Sequence, residues 1–227
     1  MDVRIDPGPL NGSLNAIPSK SELHRLLICA AFAEKETELV VSSSAYDGNH
    51  AMPNDILATM SCLKALGADF KIAPGMITVV PAGQKKAVSP LLNCGESGST
   101  LRFLLPVAAA AAESPSFTGE GRLPERPISG LTDALKAHGI TMSGEKLPFS
   151  LSGRLTGGVY EIPGDISSQY LTGLLLMLPL LEEDAVIRLT TPLRSAAYID
   201  ITTQMMRLFH AEVEENGREY RLKERKP

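Results

Sequence analysis

Five polar clusters in this 227-residue chain carry side chains that could grip an anion. Lys20, Ser21 and Arg25 come first. With Ser21 as a helix N-cap and Arg25 one turn on, a hydroxyl and a guanidinium share one helical face and can address one ligand group. A solvated cap beside a surface arginine would give the same spacing. Next, Gly95-Glu96-Ser97-Gly98-Ser99-Thr100 forms a Gly/Ser loop ahead of an apolar helix. It lacks the Gly-Lys-Ser/Thr of a nucleotide P-loop, but Gly98 would let backbone N–H groups come close to an anion. Arg126 precedes Pro127 and is therefore biased to extended backbone. There it either projects into a site or pairs with Glu120 or Glu125. Ser167-Ser168-Gln169 brings two hydroxyls and an amide to one helix start, and Ser195 and Tyr198 in RSAAYID precede another. Plain capping would account for each of these serines alone.

The elements that must position these residues recur. CLKALGADFKIAPGMITVVP (62–81), ALKAHGITMSGEKLPFSLSG (134–153) and QMMRLFHAEVEENGREYRLKE (204–224) share one pattern. Each ends an apolar-periodic helix, places Gly67, Gly139 or His210 at its C-terminus, and continues as two alternating strands. Those three positions are 72 and 71 residues apart. The hairpin turns fall at Pro74-Gly75, Gly144-Glu145 and Asn216-Gly217. Upstream of each lies another helix opened by small hydroxyl residues: ELHRLLICAAFAEK, LRFLLPVAAAAA and QYLTGLLLMLPLLEE. The unit is strand, helix, strand, helix, hairpin, three times over about 14–82, 83–154 and 155–224, after an N-terminal arm at 1–13. The expected fold is α/β (α+β): one domain of three βαβαββ units around a pseudo-threefold axis. Hydroxyl-capped helices at its centre would point three positive dipole ends at one anion site. A solenoid is the other architecture for a repeat, but this unit is long and closes its own hairpin.

Composition narrows the function classes. There are 22 Lys+Arg against 26 Asp+Glu, a net charge of -4, and 44% hydrophobic residues. That is enough apolar material for a core, without the basic excess of a nucleic-acid or membrane-surface binder. Residues 1–13 lack the apolar stretch of a signal peptide, and the greasiest run, Leu171 to Leu181, is shorter than the roughly 20 residues a spanning helix needs. Cys29, Cys62 and Cys94 form no Cys-x-x-Cys pair, so a reduced, cytoplasmic setting is expected. The four histidines have no metal-ligand spacing, and Cys94 has no indicated histidine partner. Met60, Met177, Met205 and Met206 read as core.

Taken in order, Pro18-Ser19-Lys20-Ser21 with Arg25, Glu96-Ser97-Gly98-Ser99-Thr100 with Arg102, Glu125-Arg126-Pro127-Ile128, Ser167-Ser168-Gln169-Tyr170 and Ser195-x-x-Tyr198 resemble the 5-enolpyruvylshikimate-3-phosphate synthase family. The resemblance runs from about residue 13 to 224. It implies an enolpyruvyl transferase-like fold, an inside-out α/β barrel, in which two similar domains face a cleft. It also implies transfer of the enolpyruvyl group of phosphoenolpyruvate to the 5-hydroxyl of shikimate 3-phosphate, with no cofactor and no metal. By it, Lys20 is the catalytic residue and touches both substrates, while Ser21 and Arg25 hold the carboxylate and ring-hydroxyl side of the shikimate. Ser167, Ser168 and Ser195 carry its 3-phosphate, Tyr198 lines its ring and Gln169 sits between the substrates. Gly98 and Arg126 bind phosphoenolpyruvate. Family members are about twice this length, and their second domain supplies an acid/base aspartate and further cations. The expected partner is therefore a C-terminal half, toward which the arm would run, and this chain alone is expected to turn over nothing. Two alternatives remain: a relative acting on UDP-N-acetylglucosamine, although that family carries Lys-Asn where Lys20-Ser21 stands, and a non-catalytic anion-binding module.

Overall fold

The computed structural model describes residues 18–41, 52–83 and 85–224, with residues 4, 8–9 and 11–13. The arm expected at 1–13 and the polar stretch Ser42–Asn54 fall largely outside the described residues. So does the strand expected to open the first unit.

In chain order the elements are α1 (Lys20–Ala31), β1 (Thr37–Val40), α2 (Asn54–Ala65), β2 (Asp69–Ala73), β3 (Met76–Val80), β4 (Ala87–Val88), β5 (Leu91–Asn93), α3 (Gly98–Ala111), β6 (Ala112–Glu113), β7 (Ser116–Thr118), α4 (Ser129–Ala137), β8 (Ile140–Met142), β9 (Phe149–Gly153), β10 (Gly158–Ile162), α5 (Ser168–Met177), β11 (Ala185–Leu189), α6 (Ala197–Leu208), β12 (Val213–Asn216) and β13 (Glu219–Leu222). The second and third units have the same sheet order, β5-β7-β9-β8 and β10-β11-β13-β12. In each, the first two strands pair in parallel across a helix, and the hairpin then adds antiparallel. The first unit shows the corresponding β1-β3-β2. The expected three-unit α/β fold is what forms, with a small parallel β4-β6 pair added.

Local chemistry explains the helix ends. Gly67, Gly139 and His210 all take the left-handed conformation expected where the chain leaves a helix for a hairpin, with φ of 106°, 93° and 61°. The first hairpin turns at Pro74-Gly75 as expected, with Ala73 facing Met76. The third turns one residue later than expected, at Gly217-Arg218, because Asn216 still pairs with Glu219. Gly144-Glu145 differs: it lies in a longer loop, 143–148, that contains a cis Leu147–Pro148 bond. The apolar run at 171–181 is helical only to Met177, because Pro179 cannot continue the ladder and the chain tightens into a 3-10 turn.

The core is the space where the helices meet the inner sheet faces. Leu27, Leu63, Leu104, Leu135, Leu174 and Ile187 are fully buried there. α3 and α5 approach more closely than side chains normally allow. Pro106 inside α3 has no N–H, so the Arg102 carbonyl loses its usual donor one turn away. Gly173 of α5 lies against that carbonyl: a Cβ on it would sit 2.3 Å from the Arg102 oxygen. This contact fixes the spacing of the two helix N-termini that begin one turn earlier.

Candidate functional site

Ser19, Ser97 and Ser167 cap α1, α3 and α5. Their side-chain oxygens accept the backbone N–H groups of Glu22, Thr100 and Gln169. The spacing predicts Ser21 at the first cap. The structure puts Ser19 there and Ser21 in the first turn, because the chain enters α1 one Lys-Ser step earlier. The three starts thus read Ser-Lys-Ser, Ser-Gly-Ser and Ser-Ser-Gln on one plan. The side chain at the second position after Gln169's and Ser99's caps meets its counterpart: Gln169 Nε2 donates to Ser99 Oγ at 2.9 Å.

The starts of α1, α5 and α6 open into a cleft of about 490 Å³ whose walls include Lys20, Ser21, Arg25, Ser168, Ser195 and Tyr198. Ser167, Gln169, His24 and Phe103 complete much of the rest. Eight of the ten predicted site residues are therefore brought together here. Ser195 has a left-handed backbone, φ 61°, and does not cap α6, which has no side-chain cap. Tyr198 lies inside the first turn of α6 rather than ahead of it.

Arg25 is 2% exposed. Its Nε donates to Thr202 Oγ1 at 2.7 Å, its Nη1 to the Ser21 carbonyl at 2.6 Å, and its Nη2 to Thr172 Oγ1 and the Tyr198 carbonyl at 3.2 Å each. The guanidinium also lies over the Phe103 ring at 4.9 Å. No carboxylate is among these partners, and burial lowers its pKa to about 10. Such a charge favours an anion in the adjoining cleft. It is not the surface arginine that its spacing also allowed. Lys20, by contrast, is half-exposed and its Nζ donates to Asp55 Oδ2 of α2 at 2.7 Å.

Behind the cleft runs a buried hydroxyl chain that residue spacing does not reveal. His24 Nδ1 meets Thr59 Oγ1 at 2.8 Å, Thr59 meets Thr100 at 2.7 Å, and Thr100 donates to the capping Ser97 at 2.7 Å. It joins α1, α2 and the start of α3. His24 is 3% exposed, its Nε2 is buried without a hydrogen-bond partner, and desolvation lowers its pKa to about 4. At neutral pH the ring is therefore uncharged.

The remaining two predicted residues, Gly98 and Arg126, form a second region beside the cleft. Arg126 is extended, φ -75° and ψ 135°, as its following proline dictates. It makes no ion pair with Glu120 or Glu125 among the described residues. Its Nη1 reaches toward Gly98: a Cβ there would lie 2.8 Å from Arg126 Nη1 and 3.2 Å from Arg102 Nη1. Glycine leaves this space open between two guanidiniums and a helix N-terminus. Arg102 donates to Gln169 Oε1 at 2.7 Å and to the Pro127 carbonyl at 3.0 Å, and burial lowers its pKa. Gln169 thus lines the cleft and contacts Arg102 of the arginine pair at once.

Comparison with known proteins follows the same outline. Residues 5–224 match the family model of EPSP synthase (3-phosphoshikimate 1-carboxyvinyltransferase). A protein of that enzyme name from Clostridium kluyveri is 40% identical over 210 residues, covering 91% of this chain and 47% of the relative. One from Clostridium perfringens is 36% identical over 225 residues, covering 97% and 51%. The solved EPSP synthase from Acinetobacter baumannii superposes with a TM-score of 0.74 at 25% identity, covering 93% of this chain and 46% of that one. The chain spans about half the length of the curated relatives it matches.

Proposed function

This chain belongs to the EPSP synthase family, and from that premise we propose that it supplies the half of an enolpyruvyl-transfer site that grips shikimate 3-phosphate and one side of phosphoenolpyruvate. The observation that carries the reading is the pairing of the two regions. A cleft walled by Ser-capped helix N-termini and Arg25 adjoins an open anion pocket at Gly98, with Gln169 touching both. Two anionic reactants held side by side in fixed orientation are what a bimolecular transfer between them requires.

In this reading Ser167, Ser168 and Ser195 hold the 3-phosphate, Tyr198 lines the ring, and Ser21 with Arg25 faces the carboxylate and ring-hydroxyl side. Gly98, Arg126 and Arg102 receive phosphoenolpyruvate, and Lys20 reaches both reactants from its place beside Asp55. The substrate 5-hydroxyl adds to C2 of phosphoenolpyruvate as C3 gains a proton. Loss of phosphate from the tetrahedral adduct then leaves the enolpyruvyl ether. The cations on this side offset the charge of both reactants and of the departing phosphate. Proton transfer belongs to groups of a complementary half, which closes over the cleft and excludes water. The setting proposed is the cytoplasm. Among the described residues no helix is long and apolar enough to cross a membrane.

The test is a titration of the chain with shikimate 3-phosphate followed by backbone amide shifts. Shifts at Ser21, Ser168 and Ser195 are expected. Their absence at millimolar ligand would overturn the reading in favour of a non-catalytic module. Mixing with a separately made C-terminal half should restore phosphate release that neither half shows alone.

A further inference from the structure

We propose that Arg194 supplies this half's counter-charge for the phosphate end of the cleft, and so contributes to its preference for a phosphate monoester over the unphosphorylated alcohol. The proposal rests on the reading of this cleft as the shikimate 3-phosphate site. The positive groups along the cleft differ in whether they remain available to a ligand.

Three cations line it: Lys20, Arg25 and Arg194. Lys20 is already paired with Asp55 at 2.7 Å. Arg25 is buried and directs its donors to four protein oxygens. The serines expected to hold the phosphate are uncharged, and Ser167 is partly engaged as the cap of α5. If this half offered hydroxyls alone, holding a phosphate dianion on it would be costly. Arg194 is exposed, and among the described residues its guanidinium makes no hydrogen bond or ion pair. All five of its N–H donors are free, in the planar fork that matches phosphate oxygens.

Its backbone is placed for this. The Arg194 N–H donates to the Gly164 carbonyl at 3.0 Å, tying the loop before α6 to the loop before α5. That second loop is itself held by Thr191, whose hydroxyl accepts the Gly164 N–H at 2.9 Å and donates to Asp165 Oδ1 at 2.6 Å. Arg194 therefore stands beside left-handed Ser195 and across from Ser167 and Ser168. Asp165 also lines the cleft, and its carboxyl is held below the usual range, first by the Thr191 hydroxyl and in smaller part by the field of Arg194. It is the negative charge against which the phosphate must compete for Arg194.

Two substitutions with opposite expected signs test the assignment. Both sites are exposed, so neither change should unfold the chain. Arg194→Ala should weaken shikimate 3-phosphate binding about tenfold or more, with little change for unphosphorylated shikimate. Arg194→Lys should recover part of the loss, since it restores charge but not the fork. Asp165→Asn should tighten the phosphorylated ligand by about two- to threefold, an effect that added salt diminishes. Affinities are read by amide-shift titration of the chain with each ligand. If the parent chain binds shikimate 3-phosphate and Arg194→Ala binds it equally well, the Arg194 assignment is wrong while the site reading stands. Equal weakening of both ligands would make Arg194 a scaffold residue and likewise overturn the assignment. If the parent chain binds neither ligand, the site reading and this proposal fall together.

Discussion

Two arginines, Arg25 and Arg126, one at each end of the site, hold their positive charges in opposite ways. At the α1–α6 end, Arg25 is buried, four times hydrogen-bonded and stacked on Phe103. It ties α1 to Thr172 of α5 and to Thr202 of α6. At the Gly98 end, Arg126 is exposed, its guanidinium makes no hydrogen bond among the described residues, and it faces an open space rather than protein oxygens. The first cation builds the cleft, whereas the second waits in the pocket beside it. A guanidinium that cross-links helices fixes a binding geometry before any ligand arrives. One left free can follow a ligand as it enters, at the cost of ordering a long side chain.

The sharpest break of this comparison is Arg25→Ala. It should cost about 4 kcal/mol of folding stability, because buried carbonyls and hydroxyls lose their donor. Urea unfolding measures this, and a loss under about 1 kcal/mol would place Arg25 with Arg126 as a free ligand group. His24 gives the next effect, on the same buried side. Its folded pKa of about 4 lies below the unfolded 6.5, so the unfolded chain binds the extra proton between those values. Its contribution is intact above pH 6.5 and is lost as pH falls toward 4, a difference on the order of 3 kcal/mol. Unfolding midpoints at pH 7 and pH 4.5 should therefore converge in His24→Asn relative to the parent. Gly173→Ala tests the link between the ends. A methyl against the Arg102 carbonyl should cost about 2 kcal/mol and pull Gln169 away from Arg102, read as loss of the Gln169 side-chain amide shift. Arg126→Ala is the smallest in stability, within about 0.5 kcal/mol. It should nonetheless remove the phosphoenolpyruvate-induced shift of the Gly98 amide, and a persisting shift would assign that pocket to Arg102 alone.

How much of this the sequence disclosed depends on the range of the interaction. The three units were legible because each repeats local rules: a serine cap, a left-handed residue after the helix, an alternating hairpin. The extended Arg126 was legible because proline acts on its immediate neighbour. Capping by Ser19 rather than Ser21 was not, since both residues suit the position and the chain's entry angle chooses. The hydroxyl chain from His24 to Ser97 was invisible for another reason. Thr59 and Thr100 lie 41 residues apart on different helices, and a helical threonine carries no mark of a buried partner. Arg194 lacked a signal too, because its availability depends on every other cation in the cleft being engaged.

By itself, then, the sequence determined the repeated unit, the three polar helix starts and the family resemblance, all of which follow from residue type and short spacing. Only the tertiary structure decided which charges are available. Pro106 and Gly173 set how closely α3 meets α5, Asp55 claims Lys20, and Thr172 with Thr202 claims Arg25. Those choices depend on distances of a few ångströms between residues far apart in the chain, and Coulomb and hydrogen-bond energies change most steeply over that range.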